Sequence, residues 1–280
     1  MCPFHASLAP VAVLAAGALL LSLHAPGLAD PPPGDWQLIF SDEFDGDALD
    51  LAKWSPSYPW GQTHNHRAFC APENVTVADG KLRLTAENRR HPDAPPEIEQ
   101  GGKRYALDYT SGVVHTQGKF EFTYGYIEGS FRLPATRGFW PAFWTLNAAG
   151  GWPPEIDILE ILCHEPTRVY YTYHYGKSWR PEEKLSFGGQ FAADQGAPDF
   201  SQDFHVFACE WSPDCIAWYV DGVELRRFTD RDWIAQSRDM YLIINLAVGG
   251  WEQDPDQTTV WPGVYECDWV RVWQRKDAAP

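Results

Sequence analysis

The chain reads as an all-β protein, a sandwich or barrel of antiparallel strands. Three observations lead there. Short apolar alternations recur along the 280 residues, separated by Gly, Pro, Asp and Asn turn signals. Asp79-Gly80 and Asp221-Gly222 stand between such alternations and read as hairpin turns. No run of 12 residues carries the 3.6 period of an amphipathic helix.

Taken in order, residues 11–23 are apolar but too few for a comfortable membrane span. The small-residue site Gly27-Leu28-Ala29 follows. This predicts a signal peptide over 1–29, cleaved near Ala29, and a secreted or periplasmic mature protein. The n-region carries His5 and no Lys or Arg, so an uncleaved anchor is the alternative. After Pro31-Pro32-Pro33-Gly34 come strands at 36–40, 74–78 and 81–86. Residues 87–104 are polar and rich in Pro and Gly, which predicts a surface loop. Segments 112–117, 119–124 and 126–133 read as a meander, and 139–146, 155–162 and 169–175 continue it. Residues 176–203 carry Gly188-Gly189 and little periodicity, and read as a long loop. Segments 204–211 and 215–220 form a hairpin, and 241–248 and 264–273 close the fold. Neither a repeat nor a boundary interrupts 35–275, so residues 30–280 form one domain.

Residues 1–29 have no Asp, Glu, Lys or Arg, so the mature part keeps the whole formal charge of −16. A pI near 4.8 argues against nucleic acid and anionic membranes as partners. Fourteen tryptophans suit flat apolar platforms for sugar faces, although core packing also absorbs such residues. Loss of Cys2 with the signal peptide leaves Cys70, Cys163, Cys209, Cys215 and Cys267. An odd count leaves at least one thiol free. Cys209 and Cys215 flank the turn Ser212-Pro213-Asp214, where a bridge is open but their offset is imperfect. No Cys or His spacing suggests zinc.

The most informative segment is Glu155-Ile156-Asp157-Ile158-Leu159-Glu160. Its aliphatic and β-branched positions predict a strand, on which Glu155 and Asp157 share a face. A regular strand turns Glu160 to the other face; one extra residue, a β-bulge, brings all three carboxylates to the same side. An exposed edge strand with solvated acids is the alternative. Two carboxyl groups on one wall of a groove can break a glycosidic bond, one as nucleophile or base and the other as proton donor. Carboxyls this close cannot all ionise, so one keeps its proton at neutral pH and becomes the general acid.

These residues carry a resemblance. Gly138-Phe139-Trp140-Pro141-Ala142-Phe143-Trp144, Gly151-Trp152-Pro153-Pro154 and the strand 155–160 resemble glycoside hydrolase family 16, in its laminarinase-like branch with a bulged catalytic strand. Ser41-Asp42-Glu43-Phe44-Asp45-Gly46, Tyr109-Thr110-Ser111-Gly112, residues 204–211, Tyr241–Gly250 and Asp268-Trp269-Val270-Arg271-Val272 follow in the family's order. The resemblance implies a β-jelly-roll sandwich of two antiparallel sheets with a concave sugar-binding cleft. It implies a retaining endo-glycosidase acting on polysaccharide, most readily β-1,3 or mixed β-1,3/1,4-glucan. Galactan or exopolysaccharide hydrolysis, transglycosylation and non-catalytic glucan binding are the alternatives. It assigns Glu155 as nucleophile, Asp157 as electrostatic helper and Glu160 as acid/base. Trp140, Trp144 and Trp152 are candidates for sugar stacking or for core packing. Pro141 suggests an edge or irregular strand. His174 is expected in the cleft, with a satisfied structural histidine as the alternative. Asn65 takes the place of a sugar-binding Asn, but the Glu that usually follows is absent. His164 and Glu165 read as loop residues. Loops 87–104 and 176–203 are expected to wall the cleft. No cofactor is expected for catalysis. Many members bind one structural calcium ion, for which Glu43, Gly80 and Asp268 take the ligand positions. The expected state is a monomer, without stable membrane insertion after cleavage.

Overall fold

The computed structural model describes residues 31–64, 67–100 and 102–276. The expected signal peptide over 1–29 and Asn65 lie outside these. In chain order the strands are β1 (Trp36–Asp42), β2 (Ala68–Cys70), β3 (Val75–Ala78), β4 (Lys81–Ala86), β5 (Glu97–Gln100), β6 (Lys103–Ala106), β7 (Tyr109–Ser111), β8 (Val113–His115) and β9 (Gly125–Arg132). They continue as β10 (Phe139–Asn147), β11 (Glu155–Glu160), β12 (Arg168–Gly176), β13 (Lys184–Ala192), β14 (His205–Trp211), β15 (Ile216–Val220), β16 (Val223–Phe228), β17 (Met240–Val248) and β18 (Gly263–Arg275). The single α-helix among the described residues, α1 (Arg231–Ile234), is one turn long. None is long and apolar enough to cross a membrane.

The two large sheets are antiparallel and form a jelly-roll sandwich. One runs β16-β15-β14-β9-β18-β4-β3, with β1 and β4 sharing one edge of β18 end to end. The other runs β13-β12-β11-β10-β17-β8. Alternation decides which side chains meet between them. Phe139 and Phe143 of β10, Ile156, Ile158 and Leu159 of β11, and Leu242, Ile244 and Leu246 of β17 join one buried cluster with Ile127, Phe131, Phe207 and Trp218 of the facing sheet. The opposite faces of β10, β11, β12 and β17 are left for a cleft. Burying that much apolar surface stabilises the pair of sheets by roughly 25 cal/mol for each Å² removed from water.

Four expectations change. The strand expected over 119–124 is a turn held by one bridge, Phe122 to Met240, because Gly118 and Tyr124 take positive φ at either end. Within the expected loop 87–104, β5 pairs with β6 as a separate hairpin. Within the expected loop 176–203, β13 extends the cleft-bearing sheet along all of β12. The glycines there mark close approach rather than a turn: a Cβ on Gly188 would lie 2.2 Å from the Tyr171 carbonyl oxygen. Finally, β16 escaped notice because it is a charged, mostly exposed edge strand with little apolar alternation. All five described cysteines are free and buried, so Cys209 and Cys215 form no bridge. Cys209 faces Trp218 in the β14–β15 ladder, while Cys215 lies in the turn before β15.

Candidate active site

The strand β11 lies between β10 and β12, not at an edge. Its register shifts against both neighbours. Phe143 pairs with Leu159 and Trp144 with Asp157, while on the other side Asp157 pairs with Thr172 and Glu160 with Tyr170. Ile158 is therefore the inserted residue, and the expected bulge is present. Ile156, Ile158 and Leu159 point into the core, and Glu155, Asp157 and Glu160 all line the cleft. A bulge interrupts the ladder. Here the facing sheet compensates: the Trp218 indole N–H donates to the Asp157 carbonyl at 2.9 Å.

Each carboxyl has its own partner. The Trp152 indole donates to Glu155 Oε2 at 3.0 Å, and the Trp140 indole donates to Glu160 Oε1 at 3.2 Å. Directly opposite Glu155 on β12 stands His174, whose Nε2 is 3.3 Å from Asp157 Oδ2 and 3.7 Å from Glu155 Oε1. Trp144 is different. It is buried, and its N–H donates to Asn245 of β17 at 2.7 Å. Trp140, Trp144, Trp152 and His174 thus all line the cleft. Trp140 and Trp152 spend their polar edges on the carboxyls, which fixes those groups as well as offering apolar surface. Pro141 sits in an interior strand, not an edge. It is tolerated where the β10–β11 ladder ends, its carbonyl accepting from the Ile161 N–H.

The groove has a volume of about 980 Å³. Its walls come from Pro59, Trp60 and His64 on one side, from Asn147 to Trp152, and from Trp251. The expected walls, loops 87–104 and 176–203, contribute no lining residue. Lys184, at the start of β13, lies outside that lining, with its Nζ 5.0 Å from the Trp152 ring centroid. Trp60, His64, Asn245 and Trp251 were not singled out in the sequence. The available signals were a Trp in the turn-prone run Pro59-Trp60-Gly61 and a Trp immediately after Gly249-Gly250.

Burial dominates the electrostatics. It raises Glu155, and the Asp157 charge raises it further, while His174 and the Trp152 N–H pull the other way. Burial and Asp157 likewise raise Glu160, with the Trp140 N–H opposing. Burial pushes Asp157 up to about 8. It lowers His174, against the attraction of Glu155. The three carboxyls therefore titrate as a coupled set that holds protons near neutrality. Negative charge is best tolerated beside His174, on the Glu155–Asp157 side, and a proton is best kept on Glu160. This is the division of labour that acid-assisted displacement requires.

The same burial has a cost in stability. A carboxyl raised in the folded state favours folding while protonated, below about pH 4, and loses that contribution as pH rises through its folded value. For Asp157 the window runs from about pH 4 to about pH 8. Asp157→Asn should therefore raise the melting temperature at pH 8 by several degrees, at about 2–4 °C per kcal/mol for a domain of this size, and change it little at pH 4. Thermal melts across that range check this; a variant less stable at pH 8 than the parent contradicts it.

Among the described residues, the acidic and histidine groups placed closely enough to hold a metal ion are Glu155, Asp157 and His174, with atoms within 4.8 Å of one another. That is the carboxyl cluster itself. Of the residues implied for calcium, Glu43 has a side-chain partner. Both Glu43 oxygens accept from Arg271, at 2.9 and 2.8 Å. Gly80 serves the β3–β4 hairpin turn with φ 69°, and Asp268 is half-buried on β18. As arranged, the Glu43 side chain serves an ion pair. Catalysis by paired carboxyl groups does not depend on calcium.

Comparison with known proteins gives the same picture. Residues 62–271 match the model of glycosyl hydrolases family 16. A glucan endo-1,3-beta-glucosidase A1 from Niallia circulans is 32% identical over 276 residues, which is 88% of this chain but 39% of that protein. A beta-glucanase from Rhodothermus marinus is 34% identical, covering 85% of each chain. The catalytic domain of an endo-1,3-beta-glucanase (laminarinase) from Thermotoga petrophila superposes with a TM-score of 0.73 at 34% identity, over 88% of this chain and all of that domain. With its bulged carboxylate strand, its antiparallel sandwich and this match over most of its length, the chain belongs to family 16 of the glycosyl hydrolases.

Proposed function

We propose that this chain is an endo-acting β-glucan hydrolase of the retaining type, cleaving β-1,3 or mixed β-1,3/1,4 linkages. The observation that carries the reading is the β11 bulge, which sets three carboxyls on the floor of an aromatic-walled groove. In the first step a Glu155 oxygen attacks the anomeric carbon. The bond to the glycosidic oxygen breaks, and Glu160 delivers its proton to that oxygen. In the second step water attacks the glycosyl-enzyme carbon, Glu160 takes the water proton, and the bond to Glu155 breaks with net retention. His174 favours negative charge on Glu155, and Asp157 helps keep the proton on Glu160. The Trp140 and Trp152 N–H groups orient the two reacting carboxyls.

The glucan reading draws on the relatives' glucanase activities and on the formal charge of −16, which disfavours heavily sulfated chains. The same proposal has the mature chain exported after loss of residues 1–29 and acting as a monomer, which N-terminal sequencing and gel filtration of the exported protein check. Reducing-sugar release from laminarin, lichenan, agarose, carrageenan and xyloglucan tests the substrate. Release from laminarin, with or without lichenan, is expected. Activity confined to a galactan would overturn the substrate and leave the carboxyl roles standing.

A further inference from the structure

The turn after β17 sends two neighbouring side chains in opposite directions. Gly249 and Gly250 both have left-handed backbone, with φ 73° and 78°. A Cβ on Gly249 would fall 2.7 Å from Arg67 Cγ and from Asp254 Oδ1, so the chain can turn here only as glycine. Trp251 then stands half exposed at the cleft. Its ring is perpendicular to that of Trp140, with centroids 5.6 Å apart, and lies 4.8 Å from that of Tyr170.

Glu252 turns inward, and its side chain has no exposed surface. A buried carboxylate is costly unless its oxygens are paired. Both are. Oε2 lies 2.6 Å from His164 Nδ1, and Oε1 accepts the Gly138 N–H at 3.3 Å. One side chain thus joins three segments. His164 lies four residues beyond Glu160, Gly138 two residues before Trp140, and Glu252 beside Trp251. Trp140 in turn donates its indole N–H to Glu160.

We propose that Glu252 and His164 form a latch that positions Trp251 and Trp140 at the leaving-group side of the cleft, and so governs productive binding of the sugar chain beyond the bond that breaks. The proposal rests on the reading of Glu160 as proton donor. A donor stands beside the glycosidic oxygen, so the rings next to it face the departing sugar. Glu252 touches no reacting atom; it is a positioning residue.

The test uses purified chains and two substrates. One is laminarin. The other is a dinitrophenyl β-glycoside of a short β-1,3-gluco-oligosaccharide, whose leaving group needs no proton and is not a sugar. Glu252→Ala should raise KM for laminarin about 10-fold or more, because a displacement of about 1 Å is enough for such losses. Its kcat/KM on the aryl glycoside should stay within about 2-fold of the parent, since nothing on the nucleophile side has moved. Glu252→Gln keeps an oxygen for the Gly138 N–H, and its NH2 can donate to His164 Nδ1 when the imidazole carries its hydrogen on Nε2, so it should restore most of the laminarin KM. Trp251→Ala should likewise raise the laminarin KM. Equal losses on both substrates with an unchanged melting temperature would overturn the latch, as would a Glu252→Ala chain with the parent's laminarin KM. If Glu252→Ala does not fold, the double variant Glu252→Gln with His164→Ala carries the same test, because it breaks the link to the one-third exposed His164 and leaves no buried charge unpaired. A parent that cleaves neither substrate sinks the glucan reading instead; the split is then scored on the polysaccharide the parent does cleave and the aryl glycoside of its oligosaccharide.

Discussion

Replacing Glu155 with Gln lowers turnover of a β-glucan by about 10⁴-fold or more, because Glu155 is the group proposed to form the bond to the anomeric carbon. The substitution keeps volume, and the Trp152 N–H still finds an oxygen on the amide. The variant should therefore fold, and at neutral pH melt no lower than the parent, since a buried acid has been made neutral. A shorter variant, Glu155→Gly, leaves room for a small anion. Azide then attacks the anomeric carbon in the place of the missing carboxylate, with one inversion, and the product is an α-glycosyl azide. Rate measurements with a dinitrophenyl glycoside and anomer assignment by proton NMR check both statements. A Gln variant with parental turnover, or a β-glycosyl azide from the Gly variant, would remove Glu155 from the nucleophile's role.

The second large effect separates the two glutamates. Glu160→Ala should lower turnover of the polysaccharide by about 10²- to 10⁴-fold, the range general acid–base catalysis contributes. With a dinitrophenyl leaving group, which departs without a proton, the first step should be nearly preserved. The glycosyl-enzyme then accumulates, because no base remains to activate water. Azide attacks that intermediate, giving a second inversion and a β-glycosyl azide, the opposite anomer from the Glu155 variant. In the parent, polysaccharide turnover should fall on the alkaline side as Glu160 loses its proton, and on the acid side as Glu155 gains one. Both limbs should lie above the usual carboxylate range, because burial raises both groups. In Glu160→Ala the alkaline limb should disappear. An alkaline limb that persists there would assign it to another group, and equal losses on both leaving groups would exclude Glu160 as the proton donor.

Much of this site was legible in one dimension. The strand period puts Glu155 and Asp157 on one face, and the need to bring Glu160 round to them requires one inserted residue, found as Ile158. Trp140, Trp144, Trp152 and His174 were readable as neighbours because they lie close in sequence to β11 or on the strand that pairs with it. Trp60, Asn245 and Trp251 were not, since each reaches the cleft from a segment far along the chain. The two glycines of β13 looked like a loop because close backbone approach to Tyr171 and a turn both demand glycine, and only the neighbour distinguishes them. Likewise Glu43 looked like a free oxygen donor until Arg271, more than two hundred residues later, was found on both its oxygens.

By itself, then, the sequence determined the strand-rich class, the order of most strands and the three carboxyls on one wall. These depend on local alternation, turn chemistry and the two-residue period, all of which are properties of neighbouring residues. The tertiary structure alone decided which loops wall the groove, that β11 is interior, which indole N–H holds which carboxyl, and that Glu252 is buried against His164. Those outcomes depend on which distant segments pack together, and packing is selected by the whole core at once rather than by any single stretch of chain.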